Sequence, residues 1–212
     1  MSEALNVNWD CRFCSIRHGH FFYGTADLPI HATRDYFAMA SIGGFVEGWT
    51  LVVPNDHCLS LRDLYAVDSF TDFVTRTVRT VEGLYGPSVI FEHGANHSGS
   101  PTSCGTDHGH LHVVPIGFSL RNAIGRSALA CWQPVQASGI RERVGNSEYL
   151  FFSEAPRLGD PAGYLSILTS PISQFFRTVI AENLGLSQVA DYKQHPFIAV
   201  TQRARARLAK TA

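Results

Sequence analysis

Hydrophobic positions along the chain alternate between two periods, and the switches between them outline an α+β architecture. Tyr36 to Ser41 and Thr50 to Val53 are short apolar runs on either side of Gly43-Gly44, and they read as two strands joined through a turn. Leu64, Val67, Phe70, Val74, Val78 and Val81 recur at helical spacing, which predicts a helix over 62–84 with one face on a sheet. Pro87 to Phe91 reads as a further strand, followed by a Gly/Ser/Asn-rich loop over 94–105. Beyond Pro115 the periodicity fades, and 117–147 reads as wrapping loops. Glu148 to Ser153 and Tyr164 to Thr169 read as additional strands. A last helix has Ser170 as cap, Pro171 in its first turn and Gly185 as its end, with Ile172, Phe175, Phe176, Val179 and Ile180 on its apolar face. The terminal run of Arg203, Arg205, Arg207 and Lys210 reads as a solvated tail or helix end. The expected whole is an antiparallel sheet of about five strands with one main helix over 1–116, and an extension over 117–212 that packs on it with extra strands and a helix.

Composition narrows the class. With 212 residues, 45% of them hydrophobic, the chain can bury a full core. A net charge of −1 gives no general basis for gripping a nucleic-acid backbone, although a single nucleotide can still be bound locally. No stretch reaches the ~20 apolar residues of a membrane span, and Met1-Ser-Glu-Ala does not resemble a signal peptide, so a cytoplasmic protein is expected. Five cysteines, an odd number, argue against a disulfide framework. Cys58, Cys104 and Cys131 read as small buried hydrophobes, whereas Cys11-Arg-Phe-Cys14 has the spacing of either a redox pair or two metal ligands. Zinc is the favoured reading, because a redox pair wants a preceding strand and a helix opening at the motif, and only ten residues precede Cys11.

The chemistry concentrates at residues 108–112, His-Gly-His-Leu-His, followed by Val113 and Val114. On a strand His108, His110 and His112 share one face, which should remain accessible because a row of imidazoles packs poorly. Alternate strand residues lie ~6.6 Å apart, so the outer pair is separated by ~13 Å and a single metal cannot collect all three. Each histidine therefore needs a task of its own. Of Glu92 and His93, adjacent on a strand, at most one can line the same site. His18, His20, His31, His97 and His195 read as surface or loop residues.

At this point the chain resembles the histidine-triad superfamily of nucleotide hydrolases and transferases, whose signature is His-x-His-x-His followed by two hydrophobic residues. Cys11-Arg-Phe-Cys14-Ser-Ile16, Gly48-Trp-Thr-Leu-Val-Val-Pro54 with His57 after it, and Phe91-Glu-His-Gly94 are similar to further segments of its zinc-containing microbial branch. The resemblance covers about 11–116 well and the remainder loosely, and it implies a histidine-triad-like fold. It also implies a structural Zn²⁺ held by Cys11, Cys14, His57 and His108, and a homodimer. By motif position His110 is the nucleophile that attacks the α-phosphate of a nucleotide and forms a nucleotidyl-histidine. His112 contacts the phosphate or leaving group, and His108 orients His110 through its backbone. Ser103, Gly105 and Thr106 are the candidate phosphate donors, Asn96 a candidate contact to phosphate or leaving group, and Ser41 the residue at the ribose position. Three positions depart from the better-studied branches: Ser103 and Gly105 stand where those have Gly and Ser or Thr, and Ser41 where many have Asp or Asn.

The leading expectation is a phosphoramidase that cleaves P–N bonds of a nucleotide linked to an amine, amino acid or peptide. Hydrolysis or phosphorolysis of dinucleoside polyphosphates is the alternative within the same chemistry. A zinc-stabilised, non-catalytic nucleotide-binding protein is the alternative of another class, and a redox or mononuclear metal enzyme is a fourth.

Overall fold

The computed structural model describes residues 10–125, 131–156 and 159–211. Its elements are α1 (Arg12–Arg17), β1 (His31–Ala32), β2 (Tyr36–Ala40), β3 (Thr50–Pro54), α2 (Asp68–Tyr85), β4 (Ser88–Gly94), β5 (Leu111–Pro115), α3 (Leu120–Ile124), β6 (Gln133–Gln136), α4 (Ile140–Val144), β7 (Tyr149–Ser153), β8 (Ala162–Ile167), α5 (Phe175–Asn183) and α6 (Ile198–Leu208). The α+β class stands, but the sheet has eight strands instead of about five, in the order β1-β2-β3-β5-β4-β7-β8-β6. All neighbours are antiparallel. The sheet runs unbroken past residue 116, because β7 pairs directly with β4, setting Phe91 opposite Phe152 and His93 opposite Leu150. No helix among the described residues is long and apolar enough to cross a membrane.

Both faces of the sheet are covered, which corrects the expectation of one main covering helix. Strands β2 and β7 are buried at every position, a pattern that demands packing on two sides. On one side Ala38, Val52, Ile90, Leu111, Val113 and Phe151 meet Phe70, Val74, Val78 and Val81 of α2 and Ala204 and Leu208 of α6. On the other, Phe37, Leu51, Val53, Phe91, Val114 and Phe152 meet Phe13 and Ile16 of α1, Leu120 and Ile124 of α3, and Phe176, Val179 and Ile180 of α5. The basic run at the C-terminus is the end of α6, where Arg207 pairs with Glu47 at 2.9 Å.

Several element boundaries differ from the sequence reading, each for a tertiary reason. Helix α2 begins at Asp68, not at 62, because the preceding turn is tied across the molecule. There the Leu61 amide donates to the Glu92 carboxylate, and the Arg62 guanidinium donates to the carbonyls of Ala95 and Gly145. The segment 117–147 is not simply loop: it contains α3, β6 and α4, with 126–130 outside the described residues. Helix α5 starts at Phe175, not after Ser170. The Ile172 and Gln174 amides donate to Thr102 Oγ1 and Cys104 Sγ, which docks 170–174 on the 101–104 loop before the helix opens.

Glu92 belongs to the fold. It is fully buried on the α2 side and accepts from the Leu61 amide (2.6 Å), Tyr65 Oη (2.7 Å) and Tyr149 Oη (2.6 Å). Burial raises its pKa, and these donors pull it back down. Tyr149→Phe removes one donor to a buried carboxyl and should cost about 1.5–3 kcal/mol, read as a shifted urea midpoint at constant m-value.

Candidate active site and metal centre

The triad does not lie along one regular strand. Strand β5 starts at Leu111, so His112 sits within the sheet while His108 and His110 lie on the extended run leading into it. Gly109 explains the departure. Its amide donates to the Cys58 carbonyl at 2.6 Å, and a Cβ there would come within 2.9 Å of the Ser60 backbone. Only glycine lets the segment carrying His57 cross this closely. Nor is the face open: α1 and α5 cover it, leaving His108 and His112 buried and His110 half-buried.

That crossing brings four ligand-type side chains together. The ligand atoms of Cys11, Cys14, His57 and His108 all lie within 4.8 Å of one another and could hold a metal ion. His108 Nδ1 is 3.2 Å from Cys11 Sγ and 3.7 Å from Cys14 Sγ, and Cys14 Sγ is 3.4 Å from His57 Nδ1. His108 Nε2–H donates to the Pro54 carbonyl at 3.0 Å, so its Nδ1 lone pair is the one turned to the cysteines. Such a partner on the remote nitrogen is what fixes a metal-ligating imidazole. Burial, then the neighbouring His57, holds the His108 pKa down at about 3, consistent with a neutral ligand. Two thiols and two imidazoles are a donor set suited to a closed tetrahedral site.

The other two histidines are held in complementary tautomers. His110 Nδ1–H donates to the His108 carbonyl at 2.8 Å, which leaves Nε2 with its lone pair. Trp49 Nε1–H donates to His112 Nδ1 at 2.9 Å, so neutral His112 carries its proton on Nε2. The two rings are 4.8 Å apart between centroids, and His112 also stacks on Phe91 at 4.5 Å. Burial lowers the pKa of both, keeping them neutral. Two neighbouring rings thus offer one lone pair and one N–H, the two groups that a nucleophile and a charge-stabilising donor require.

Around them lies a niche of about 40 Å³ lined by Ser41, Leu51, His93, His110, His112 and Arg177, among others. It adjoins a wide cleft of about 900 Å³, with which it shares Arg12, Ile42, Cys104, Thr106 and Tyr192. Ser103 and Gly105 line the cleft, but the Ser103 hydroxyl is engaged by the Ser100 carbonyl and Asp107 Oδ1, both at 2.8 Å. Gly105 has φ +80°, and the Lys193 ammonium lies 2.6 Å from where a Cβ would stand. Asn96 is not brought to the site: it is exposed, and its amide reaches Glu148 at 3.4 Å. Of the pair on β4, His93 lines the niche and Glu92 faces away from it.

Two members of the site escaped the sequence reading. Trp49 sets the His112 tautomer from just before β3, and Arg177 enters from α5. A cation beside the apolar stripe of a helix was the available signal for Arg177. Cys104 and Cys58 are only half-buried and Cys131 is exposed, which corrects their reading as core residues, and His31 is half-buried against Thr77 Oγ1 (3.0 Å). No family model matches this chain, and no curated protein matches it.

Proposed function

We propose that this protein is a histidine-triad nucleotide hydrolase whose preferred bond is the P–N link between a nucleoside monophosphate and an amine, amino acid or peptide. The observation that carries the reading is the paired tautomers, His110 with a bare Nε2 and His112 with Nε2–H beside it. His110 Nε2 attacks the α-phosphorus, the P–N bond breaks with its electron pair leaving on nitrogen, and that nitrogen takes a proton from water in the cleft. The cationic nucleotidyl-histidine is stabilised by its Nδ1–H on the His108 carbonyl. Water then displaces His110 and releases the nucleoside monophosphate. The niche admits only the phosphoryl group, so nucleoside and leaving group occupy the wide cleft.

In this reading the four-residue cluster holds Zn²⁺, which contributes to folding and takes no part in bond breaking. Its ligand His108 supplies the carbonyl that orients His110, so the clamp and the nucleophile share one residue. A homodimer acting in the cytoplasm completes the proposal.

Incubation with a panel of P–N, P–O–P and P–S nucleotides, following nucleoside monophosphate release, tests it. Phosphoramidates should turn over fastest, and no release from any member of the panel would end the hydrolase reading. Trp49→Phe should lower kcat about 10-fold with little change in nucleotide affinity, because His112 then presents Nε2–H only part of the time.

A further inference from the structure

The extension contributes a buried cation that the mechanism above leaves without a task. Arg177 is 4% exposed, and no acidic side chain among the described residues forms an ion pair with it. Its Nε donates to the Ala190 carbonyl at 3.0 Å and its Nη2 to the Gly43 carbonyl at 2.6 Å. A guanidinium carries five N–H groups, and those beyond these two have no acceptor among the described residues. Its face lies over Trp49, with Cζ 4.9 Å from that ring, and over Phe45 at 5.3 Å. Trp49 is the residue that holds His112, so the cation sits against the support of the triad.

A second, independent group in the same niche also lacks a partner. His93 is 8% exposed, and its Nε2 is shut off from solvent with no hydrogen-bond partner among the described residues. Its ring is 6.1 Å from that of His112 and 5.1 Å from that of Phe176 on α5. Burial, then His110 and Arg177, holds its pKa at about 3, so it is a neutral imidazole able to give one N–H. A buried cation with no acidic partner among the described residues and a buried imidazole nitrogen with no partner there each cost free energy unless a ligand completes them. The niche they line, about 40 Å³, has room for roughly three water-sized oxygens.

We propose that Arg177 and His93 form an anion subsite that takes the non-bridging oxygens of the phosphoryl group presented to His110. The inference rests on the hydrolase reading for its substrate, and it gives the extension a direct place in the chemistry. Arg177 neutralises charge on oxygens that become more negative during attack, while His112 and His93 each give an N–H to the same group.

The test uses the metal-loaded full chain, isotope-labelled, titrated with inorganic phosphate and separately with adenosine monophosphate. Imidazole and guanidinium ¹⁵N shifts are followed by NMR, and affinity by calorimetry. Phosphate should move the His93 and Arg177 signals together and saturably. Arg177→Met should weaken phosphate binding about 10-fold or more, with Arg177→Lys recovering part of the loss. It should also lower kcat about 10²- to 10³-fold on whichever phosphoramidate the wild type cleaves, with partial rescue by added guanidinium. A purely structural Arg177 would give neither the phosphate-affinity loss nor the rescue. Should Arg177→Met not fold, His93→Asn and the wild-type shifts decide the matter. Equal phosphate affinity in wild type and a folded Arg177→Met would overturn the proposal, as would phosphate binding that leaves His93 and Arg177 unmoved, or no binding of either ligand. Phosphate held through Arg177 without turnover of any nucleotide would sustain the subsite and break the hydrolase reading alone.

Discussion

His110→Ala and His110→Asn are expected to abolish turnover, while the fold and nucleotide binding persist. The expectation follows from geometry: His110 Nε2 is the only triad nitrogen held with a lone pair toward the niche, since His112 Nδ1 is taken by Trp49 and His108 Nδ1 faces the cysteines. Loss of a nucleophile typically costs several powers of ten. His112→Ala removes a donor and leaves the attacking atom, so it should slow turnover by about 10²- to 10³-fold without ending it. Brief mixing with substrate labelled at the α-phosphate, then denaturation without acid, should leave the label on His110, because the P–N bond of a phosphohistidine is acid-labile. Near-normal turnover by a folded His110→Ala protein would reject the mechanism.

Removal of the proposed metal should be the most destabilising change short of unfolding. Apparent binding energies for structural Zn²⁺ in small zinc peptides are about 10–16 kcal/mol, and a site absent from the unfolded chain converts such energy into stability. Even a third of that corresponds to a fall in Tm of roughly 10 °C or more for a chain of this size. One equivalent of metal per chain should be found by elemental analysis, and a strong chelator should lower Tm, helped by the exposure of His57. Cys14→Ser should behave as the chelated protein does. Turnover should fall along with stability, because the carbonyl of His108, a member of the cluster, orients His110. Unchanged melting in chelator would show that the cluster holds no structural ion.

What could be read from the sequence follows from where local pattern and tertiary context agree. Strands β2, β3, β4, β7 and β8 are apolar runs that have few alternatives, and all were visible. Strand β6, Gln-Pro-Val-Gln, has one buried side chain in four and carries no apolar signature, and β1 is two residues long. The start of α5 was misplaced because docking on Thr102 and Cys104 overrides the capping that Ser170 and Pro171 suggest. The four cluster residues follow from the motif and are adjacent in the fold, although Cys14 and His108 are 94 positions apart. Nothing local marks Arg177 or Trp49 as a site residue, since each acts through a partner that only folding brings near. Asn96 rests only on a resemblance of position, and the loop carries it to Glu148 instead.

The two borders of the sheet also bear on how copies of this chain behave in concentrated solution. Among the described residues one border is β1, two residues long, and the other is β6, whose exposed Pro134 has no N–H to offer an incoming strand. Strand β4, seven residues long and wholly buried, would template aggregation if left bare, and the chain spends its own β7 to cap it. A variant lacking β7 and β8 would therefore present β4 as a sticky edge and should precipitate or swap strands. Among the described residues, neither border of this sheet readily offers a guest strand a place.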